Sequence, residues 1–342
     1  TRSGLSKLSK IKRTLSEKAE IIENTVDKWH RRLGLVAATE LDNAEHPTSH
    51  NIKYSENDGL WTAYHVVAMS LAYASTKDSR YLNSAKKGMD ALIMLQNASG
   101  IPGVVARSVM PIELWDKKND KWRVTPDSSR VWKCDTSSDE IDGHFFAFYA
   151  YWEHIAKHDP EESALIKEQI STLINYIVDN NYQLLDWDGK RTKWGFWNPE
   201  ALNDDPENYL ENGLNSAQIL SFLKVSYYIT GNSKFKKHYD TLITKHGYLG
   251  NVLLEKKVFP DKNNHSDNQL AYCALYPLLQ LEHDPKAKNA LQIAVRRHHR
   301  TLRRDGSSFF YFTAATIDLD FVEISDAVDF LRQVPTDRRQ WK

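Results

Sequence analysis

The chain contains little cysteine, since its 342 residues include only Cys134 and Cys273. Two cysteines are too few for a disulfide framework, and their spacing excludes the usual zinc-ligand pairs. Walker loops, GxGxxG turns, GxSxG elbows and HExxH helices are also absent, which excludes the common signatures of nucleotide, dinucleotide, esterase and zinc-peptidase sites. No spacing of Asp, Glu or His demands a metal ion. We therefore expect neither a metal nor an organic cofactor.

The chain also lacks an excess of either charge, because 45 Lys and Arg residues balance 45 Asp and Glu residues. The positive field that usually attracts nucleic acids or membrane surfaces is missing. No stretch reaches the roughly 18 apolar residues of a membrane-spanning helix. We therefore predict neither a nucleic-acid nor a membrane partner.

Residues 1–13 are basic and polar, without the apolar core of a signal peptide. A periplasmic or secreted location is favoured over the cytoplasm if a signal peptide was removed earlier. The oligomeric state is left open.

Aromatic residues, in contrast, are abundant: 10 Trp, 16 Tyr and 12 Phe make up 11% of the chain. Some of these rings must build a core, since each buries a large apolar area. Several tryptophans, however, lie in segments punctuated by Gly and Pro, where stacking on a ligand is an alternative to core packing.

A faint internal repeat organises the chain. Three segments place an Asp or Asn before a Gly and a long apolar run: Asp58-Gly59, Asp142-Gly143 and Asn212-Gly213. A fourth run begins at residues 266–270 without the glycine. Each run ends in a connector where Asp or Asn precedes Ser or Pro, which is typical of a helix N-cap followed by its first helical residue. The connectors are residues 76–79, 157–160, 230–233 and 282–285, and they predict four helical hairpins.

The two helices of each hairpin differ in polarity. The first, as in residues 60–73 or 145–155, is apolar almost all round, whereas the second, as in residues 81–95 or 161–178, is amphipathic. Buried inner helices alternating with amphipathic outer helices predict an all-α fold, an (α/α) toroid of about five to six hairpins. We expect it to form a single domain of residues 1–342. An open solenoid is the alternative, but its repeats would be of near-constant length.

Two further helices are predicted at residues 15–33 and 322–331, and residues 308–313 form the only plausible strand. Long loops at residues 97–136, 180–211 and 247–264 each lead into an inner helix. They should therefore gather at one end of the toroid. Because long loops in compact domains are usually functional, we place the site there.

Polar clusters at the starts of the inner helices supply the candidate site residues. Several have an alternative role: a carboxylate can simply cap its helix, a Trp can pack in the core, and an Arg can pair with one of the many acids. The predicted catalytic residues are His144, His265, Asp139 and Glu140. The predicted substrate-binding residues are Asp58, Trp61, Arg107, Arg130, Lys193, Trp194, Trp197, Tyr209, Glu211, Asn212, Asn215 and Asp267.

The arrangement of residues 58–61, 139–144, 193–197 and 264–267 resembles bacterial α/α-toroid proteins of polysaccharide breakdown, over about residues 50–335. That group includes polysaccharide lyases, oligosaccharide dehydratases and glycoside hydrolases, some of them in ulvan- or alginate-degrading systems. The resemblance implies an oligo- or polysaccharide substrate. It identifies no single family and transfers no catalytic residue.

Three functions fit this pattern. In β-elimination on a uronate, the favoured interpretation, His144 and His265 act as base and acid. Arg107, Lys193 and Asn212 would then bind the carboxylate, and Trp194 and Trp197 would stack on neighbouring sugars.

The second function is inverting glycoside hydrolysis by two carboxylates ~6.5–9.5 Å apart, with Asp139 or Glu140 facing Asp58, Glu211 or Asp267. The third is a non-catalytic glycan-binding helical domain. It would need stacking aromatics but no clustered acids and histidines.

Overall fold

The computed structural model describes residues 13–43, 45–117, 119–257, 264–317 and 319–336. Helices dominate these ranges: α1 Leu15–Trp29, α2 Asp58–Thr76, α3 Ser79–Asn97, α4 Ser138–His154, α5 Pro160–Asp179, α6 Pro199–Leu202, α7 Asn212–Thr230, α8 Ser233–Thr244, α9 Tyr248–Leu253, α10 His265–Leu281, α11 Pro285–Leu302, α12 Ser308–Ala315 and α13 Ile324–Gln333. No helix within these ranges is long and apolar enough to cross a bilayer.

The four predicted hairpins are confirmed as α2–α3, α4–α5, α7–α8 and α10–α11. In each case the second helix begins where the connector was predicted to cap it. The side chains of Asp78, Asp159, Asn232 and Asp284 accept hydrogen bonds from backbone N–H groups in the first turns of α3, α5, α8 and α11. Helices α12 and α13 form a fifth, shorter hairpin.

The first helices of the hairpins form the inner wall. Helix α4 packs against α2 and α7, α7 packs against α10, and α10 contacts α12. The centre is filled by apolar side chains from four inner helices, including Val67, Phe146, Cys273 and the partly buried Phe309. The fold is an all-α (α/α) toroid, and that prediction is confirmed. That one domain spans the whole chain stays a prediction.

Two helix boundaries and one strand were predicted incorrectly. Helix α1 ends at Trp29 instead of extending to residue 33, because Leu33 adopts a left-handed backbone conformation (φ 52°) in the turn between two short strands. The last helix is shifted by two residues. Residues 308–313 form helix α12 rather than a strand, since a helical turn buries the adjacent Phe310 and Tyr311 together, which strand alternation would not.

Short strands occur instead in the loops, where β-pairing was not predicted. Their bounds are β1 Arg31–Arg32, β2 Leu35–Val36, β3 Thr39–Leu41, β4 His50–Ile52, β5 Val109–Pro111, β6 Trp122–Val124, β7 Arg130–Lys133, β8 Gln183–Leu185 and β9 Arg191–Phe196. They form antiparallel sheets in the orders β1-β2, β3-β4, β5-β7-β6 and β8-β9. Strands of two to six residues are too short to produce a visible alternation in the sequence.

The long loops meet above the inner helices, as predicted. The backbone N–H of Asp135, just before α4, donates to Asp186 in the β8–β9 hairpin at 2.8 Å. In return, the Asp135 carboxylate accepts from Lys193 N at 3.2 Å. Farther along, Asn251 of α9 donates to Asn203 after α6 at 2.9 Å. These contacts join three loops at the end of the toroid where the inner helices begin.

Candidate functional site

The open end of the toroid is formed by the first turns of α2, α4, α7 and α10, and we call it the mouth. Helix α2 shows which side chains face it. The Tyr64 hydroxyl lies 3.1 Å from Cys273 Sγ on α10, so this face of α2 points toward the toroid axis. Trp61 lies one turn earlier on the same face and is 38% exposed. It therefore stands in the mouth.

Three carboxylates from three different inner helices converge there, and we call them the acid cluster. Asp139 lies in the first turn of α4, Glu211 is the residue that precedes α7, and Asp267 lies in the first turn of α10. All three are partly buried. Their proximity is evident electrostatically, because the charge of Asp139 acts on both Glu211 and Asp267, and that of Glu211 acts on Asp267.

Burial raises the pKa of all three groups, and repulsion by a neighbouring carboxylate adds to the shift of Glu211 and Asp267. Burial raises the pKa of Asp267 to about 6, and the neighbouring Glu211 charge adds to the shift. Burial also raises the pKa of Glu211, with Asp139 adding and Lys257 opposing. The pKa of Asp139 is raised by burial against the opposing charge of Arg107. Carboxyl groups whose pKa values are shifted in this way can divide acid and base roles near neutral pH.

Arg107 organises the side of the mouth next to Asp139. Its guanidinium donates to Glu56 O at 2.7 Å, to Asp135 O at 3.1 Å and to Asn57 Oδ1 at 3.2 Å. It also pairs with the Glu56 carboxylate at 3.2 Å. Arg107 therefore ties the residues before α2 to those before α4, and its charge reaches Asp139.

Two lysines that sequence reasoning missed line the opposite side. Lys257 Nζ donates to Asn212 Oδ1 at 3.1 Å and to Leu254 O at 3.3 Å. Within the described part of the chain, its half-buried ammonium forms no ion pair. Lys256, which is 5% exposed, donates to Asn268 Oδ1 at 2.5 Å. Burial lowers the pKa of each ammonium. No sequence signal marked this pair, because nothing local shows that the segment folds against α7.

A second polar layer lies deeper in the toroid. Asp142, one turn below Asp139 on α4, is 1% exposed and accepts a 3.5 Å hydrogen bond from Gln218 of α7. Burial raises the pKa of Asp142 well above its usual value, which favours the protonated carboxyl. This layer separates the acid cluster from the apolar centre.

Three predicted site residues lie in the core instead of at the mouth. His144 is fully buried, and its ring nitrogens lie 2.7 Å from Glu140 O and 3.3 Å from Leu92 O. Burial also lowers the pKa of His144, and its ring is enclosed in the core, so the structure does not bring it to the mouth where the predicted base would act. Trp197 is 0% exposed and donates its indole N–H to Gln218 at 3.0 Å. Asn215 donates to Phe196 O at 2.8 Å.

Two predicted acids are also buried inside the protein instead of facing the mouth. The Asp58 carboxylate pairs with Arg32, which sequence reasoning missed, and accepts hydroxyl hydrogen bonds from Ser55 at 2.6 Å and Ser108 at 2.5 Å. It anchors the start of α2 and does not face the mouth. Glu140 is fully buried against α2, with one carboxyl oxygen directed at Gly59. Its position next to Asp139 in sequence puts it on a different helix face.

The remaining predicted residues divide between mouth and periphery. Tyr209 is 45% exposed, and the Lys257 ammonium lies 6.0 Å from its ring centre. Lys193 and Trp194 lie on β9 at the rim, and Trp194 is 42% exposed. Arg130 points away from the mouth, since its guanidinium reaches Met94 Sδ on the outer helix α3 at 3.3 Å.

His265 is the first residue of α10, and its side chain is 66% exposed. One ring nitrogen lies 3.5 Å from the Asp305 carboxylate, beyond the end of α11. The histidine is therefore accessible at the edge of the mouth, two residues before Asp267. Among the described residues, no group of three His, Cys, Asp or Glu side chains converges closely enough to hold a metal ion.

Comparison with known proteins bears on the fold. No protein-family model matches this sequence, and no curated protein sequence matches it. A sugar epimerase from a ruminal bacterium is 13% identical, with a TM-score of 0.51 over 92% of this chain and 85% of that one. The GH76A α-1,6-mannanase of Salegentibacter sp. HEL1_6 is 11% identical, with a TM-score of 0.38 over 93% and 100%. An unsaturated glucuronyl hydrolase of Bacillus sp. GL1 is 11% identical, with a TM-score of 0.38 over 86% and 83%. The similarity to the epimerase supports the toroid fold. The TM-scores of the other two proteins are too low to support a conclusion about fold or function.

Proposed function

We propose that the protein is a glycoside hydrolase that cleaves a bond in an acidic oligo- or polysaccharide. The acid cluster is the observation that carries this proposal. Three partly buried carboxylates from separate helices, with raised pKa values and exposed aromatic rings beside them, fit acid–base cleavage of a glycosidic bond. A purely structural role would be met by one capping side chain for each helix.

The raised pKa of Asp267 suggests how the acid and base roles are divided. Asp267, with a pKa of about 6, donates its proton to the glycosidic oxygen as the bond from that oxygen to the anomeric carbon breaks. Asp139, supported by the Arg107 charge, accepts a proton from the water that attacks the anomeric carbon. The charge of Glu211 adds to burial in raising the pKa of Asp267. One water is consumed, and each product gains a hydroxyl group.

Lys257 supports an acidic substrate. Its half-buried ammonium donates only to neutral oxygens of the described residues, although it stands beside Glu211. A sugar carboxylate at this position would supply the missing counter-charge. Trp61 and Tyr209, both exposed at the mouth, offer flat faces to the sugar rings.

β-Elimination is the second candidate, and His265 is the observation that favours it. The exposed imidazole stands two residues from Asp267 and could remove the C5 proton of a uronate while Asp267 protonates the leaving oxygen. This mechanism no longer has its predicted second histidine, because His144 is buried. The two reactions give products that differ by one water.

Product analysis separates the two functions. The protein would be incubated with a panel of uronate-containing oligosaccharides and polymers, with absorbance followed at about 235 nm and products weighed by mass spectrometry. Hydrolysis predicts products that gain water without new absorbance. New absorbance with a double bond in the product would establish elimination instead. Absence of turnover across the panel would contradict both proposals.

Asp267→Asn tests the role of the proton donor. We expect turnover to fall about 10²- to 10⁴-fold, the usual contribution of general acid catalysis. In the wild type, kcat/KM should decline as pH rises through about 6, because Asp267 in the free enzyme then loses the proton that it must donate. Asp78→Asn is the matched control, since Asp78 caps the outer helix α3 and Asn caps equally well. Unchanged turnover in Asp267→Asn would remove this residue from the mechanism.

A further inference from the structure

We infer that the β8–β9 hairpin and the adjoining strand β6 form an extended binding strip for an anionic polysaccharide chain, outside the acid cluster. The strip consists of Trp187, Trp194, Arg123 and Lys193. Trp187 and Arg123 were not among the predicted site residues. The inference rests on the proposed function, and it specifies that the substrate is a chain and not a single sugar.

Both tryptophans are held in the same unusual way. The Arg123 guanidinium lies 4.4 Å from the centre of the Trp187 ring, and the Lys193 ammonium lies 4.6 Å from the centre of the Trp194 ring. A cation on one face orients each ring. Yet Trp187 is still 44% exposed and Trp194 42% exposed, so a large part of each side chain remains open to solvent. An open, oriented aromatic face is suited to stacking on a sugar ring.

The strip is continuous with the mouth. Asp135 is the link, since its N–H donates to Asp186 beside Trp187 and its carboxylate accepts from the N–H of Lys193. The carbonyl oxygen of Asp135 in turn accepts a 3.1 Å hydrogen bond from Arg107, whose charge acts on Asp139. The hairpin is thereby clamped to the loop that leads into α4. A chain leaving the acid cluster on this side would pass over the two rings.

The spacing of the rings favours a chain over a single sugar. Gln183 pairs with Phe196 and Leu185 pairs with Arg191. The register shifts between these pairs, and Trp194 lies between them on β9, whereas Trp187 lies in the turn two residues beyond Leu185. The two rings therefore stand at different levels of the hairpin, at least about 7 Å apart at about 3.3 Å per residue, which favours contact with different sugar units.

The charge of the strip selects the class of chain. Arg123 is held in place by the carbonyl oxygens of Asp120 and Trp122, which are neutral acceptors. Of the nearby carboxylates, Asp188 pairs with Lys190 at 3.1 Å, whereas Asp186 and Asp135 accept from backbone N–H groups and form no ion pair with Arg123 or Lys193 among the described residues. Two cations under two aromatic rings therefore present a positive surface, which complements a repeating carboxylate or sulfate and not a neutral glycan.

Affinity electrophoresis tests the strip directly. Native gels would contain polygalacturonate, alginate, hyaluronate or the neutral polymer dextran. Wild type, Trp187→Ala, Trp194→Ala, the double variant and Arg123→Gln would be compared. Tyr227→Ala is the matched control, because Tyr227 is 37% exposed on α7, far along that helix from the mouth.

We expect at least one acidic polymer to retard the wild type and the Tyr227→Ala control equally. The apparent dissociation constant should rise at least tenfold in the double variant, and retardation should weaken with added salt. Equal retardation of wild type and double variant, equal retardation by dextran, or no retardation by any acidic polymer would each overturn the inference. A double variant that loses binding while Asp267→Asn keeps full turnover would support the strip and contradict the proposed mechanism.

Discussion

At the scale of single residues, Glu140 shows how burial changes what a carboxyl group does. One carboxyl oxygen accepts a 3.4 Å hydrogen bond from Leu60 N, and the other has no hydrogen-bond partner among the described residues. Burial raises the pKa of Glu140 well above its usual value. The folded protein therefore keeps the Glu140 proton at pH values where the unfolded chain releases it.

The consequence is a pH-dependent cost in stability that Glu140→Gln should remove. Above the unfolded pKa of about 4.3, the free energy of unfolding of the wild type falls by up to about 1.4 kcal/mol per pH unit from this group. Glutamine has no proton to lose. The variant should match the wild type near pH 4.5 and become progressively more stable than it as the pH rises, until Glu140 ionises in the folded protein. Urea unfolding across this range measures the difference.

The control is Glu20→Gln, because Glu20 is exposed on α1 and makes a long 3.6 Å pair with Arg80. Its stability difference from the wild type should change little with pH. A Glu140→Gln difference that stays constant from pH 4.5 to pH 8 would show that Glu140 is not the proton-binding group.

The direction of each side chain and its distant partners limit how much of the site can be predicted from the sequence. Asp139, Glu211 and Asp267 were predictable, because each marks the start of an inner helix. The failures of Glu140 and His144 were not avoidable, since one position along a helix turns a side chain by about 100° and decides between mouth and core. Arg32 and Lys257 were missed because their partners lie far away in sequence.

At the scale of elements, the mouth depends on how closely α7 approaches the segment that follows α9. Gly213, in the first turn of α7, packs directly on Glu255. A Cβ at this position would lie 2.4 Å from the Cα of Glu255. Because the obstacle is backbone, the segment carrying Lys256 and Lys257 would have to move. The Asn-Gly pair that marked the repeat in the sequence is therefore a requirement of helix packing.

Gly213→Ala should push helix α7 away from the segment that follows α9. We expect a loss of about 1–3 kcal/mol of stability, the usual cost of overpacking, with reduced turnover as Lys257 shifts. Gly250→Ala is the control, since Gly250 lies in α9 with no atom near its would-be Cβ, and alanine should stabilise by about 0.5–1 kcal/mol. Thermal unfolding and kcat/KM measure the two effects. A Gly213→Ala protein as stable and active as the wild type would show that this contact is easily relaxed.

Element prediction succeeded where caps and long apolar runs were both present. The four connectors could be identified because Asp or Asn before Ser or Pro begins each outer helix. Helix α12 was missed because a run of eight residues is too short to distinguish the hydrophobic period of a helix from that of a strand. The short strands of the loops depend on pairing with other strands, and that information is not local.

At the scale of the whole molecule, the toroid is closed by its first helix. Helix α1 has no fully buried residue, so polar contacts attach it. On one side Glu23 accepts from Ser84 at 3.0 Å and pairs with His65 at 2.8 Å, in the first hairpin. On the other, Lys18 Nζ lies within hydrogen-bonding distance of three carbonyl oxygens at the end of α13. Helix α1 therefore bridges the first hairpin, α2–α3, and the last hairpin, α12–α13.

Lys18→Met should loosen this closure while keeping the apolar length of the side chain. Carbonyl groups at a helix end lack partners within the helix and carry partial negative charge, so an ammonium there contributes up to about 2 kcal/mol. We expect a loss of about 1 kcal/mol and faster amide hydrogen exchange in α12 and α13, with exchange in α4 unchanged. Lys28→Met is the control, since the Lys28 ammonium lies over the neighbouring Trp29 ring at 4.5 Å. If exchange in α13 does not respond to Lys18→Met, the last hairpin is held by its packing on α10 and α11 alone, and α1 is a peripheral addition to the toroid.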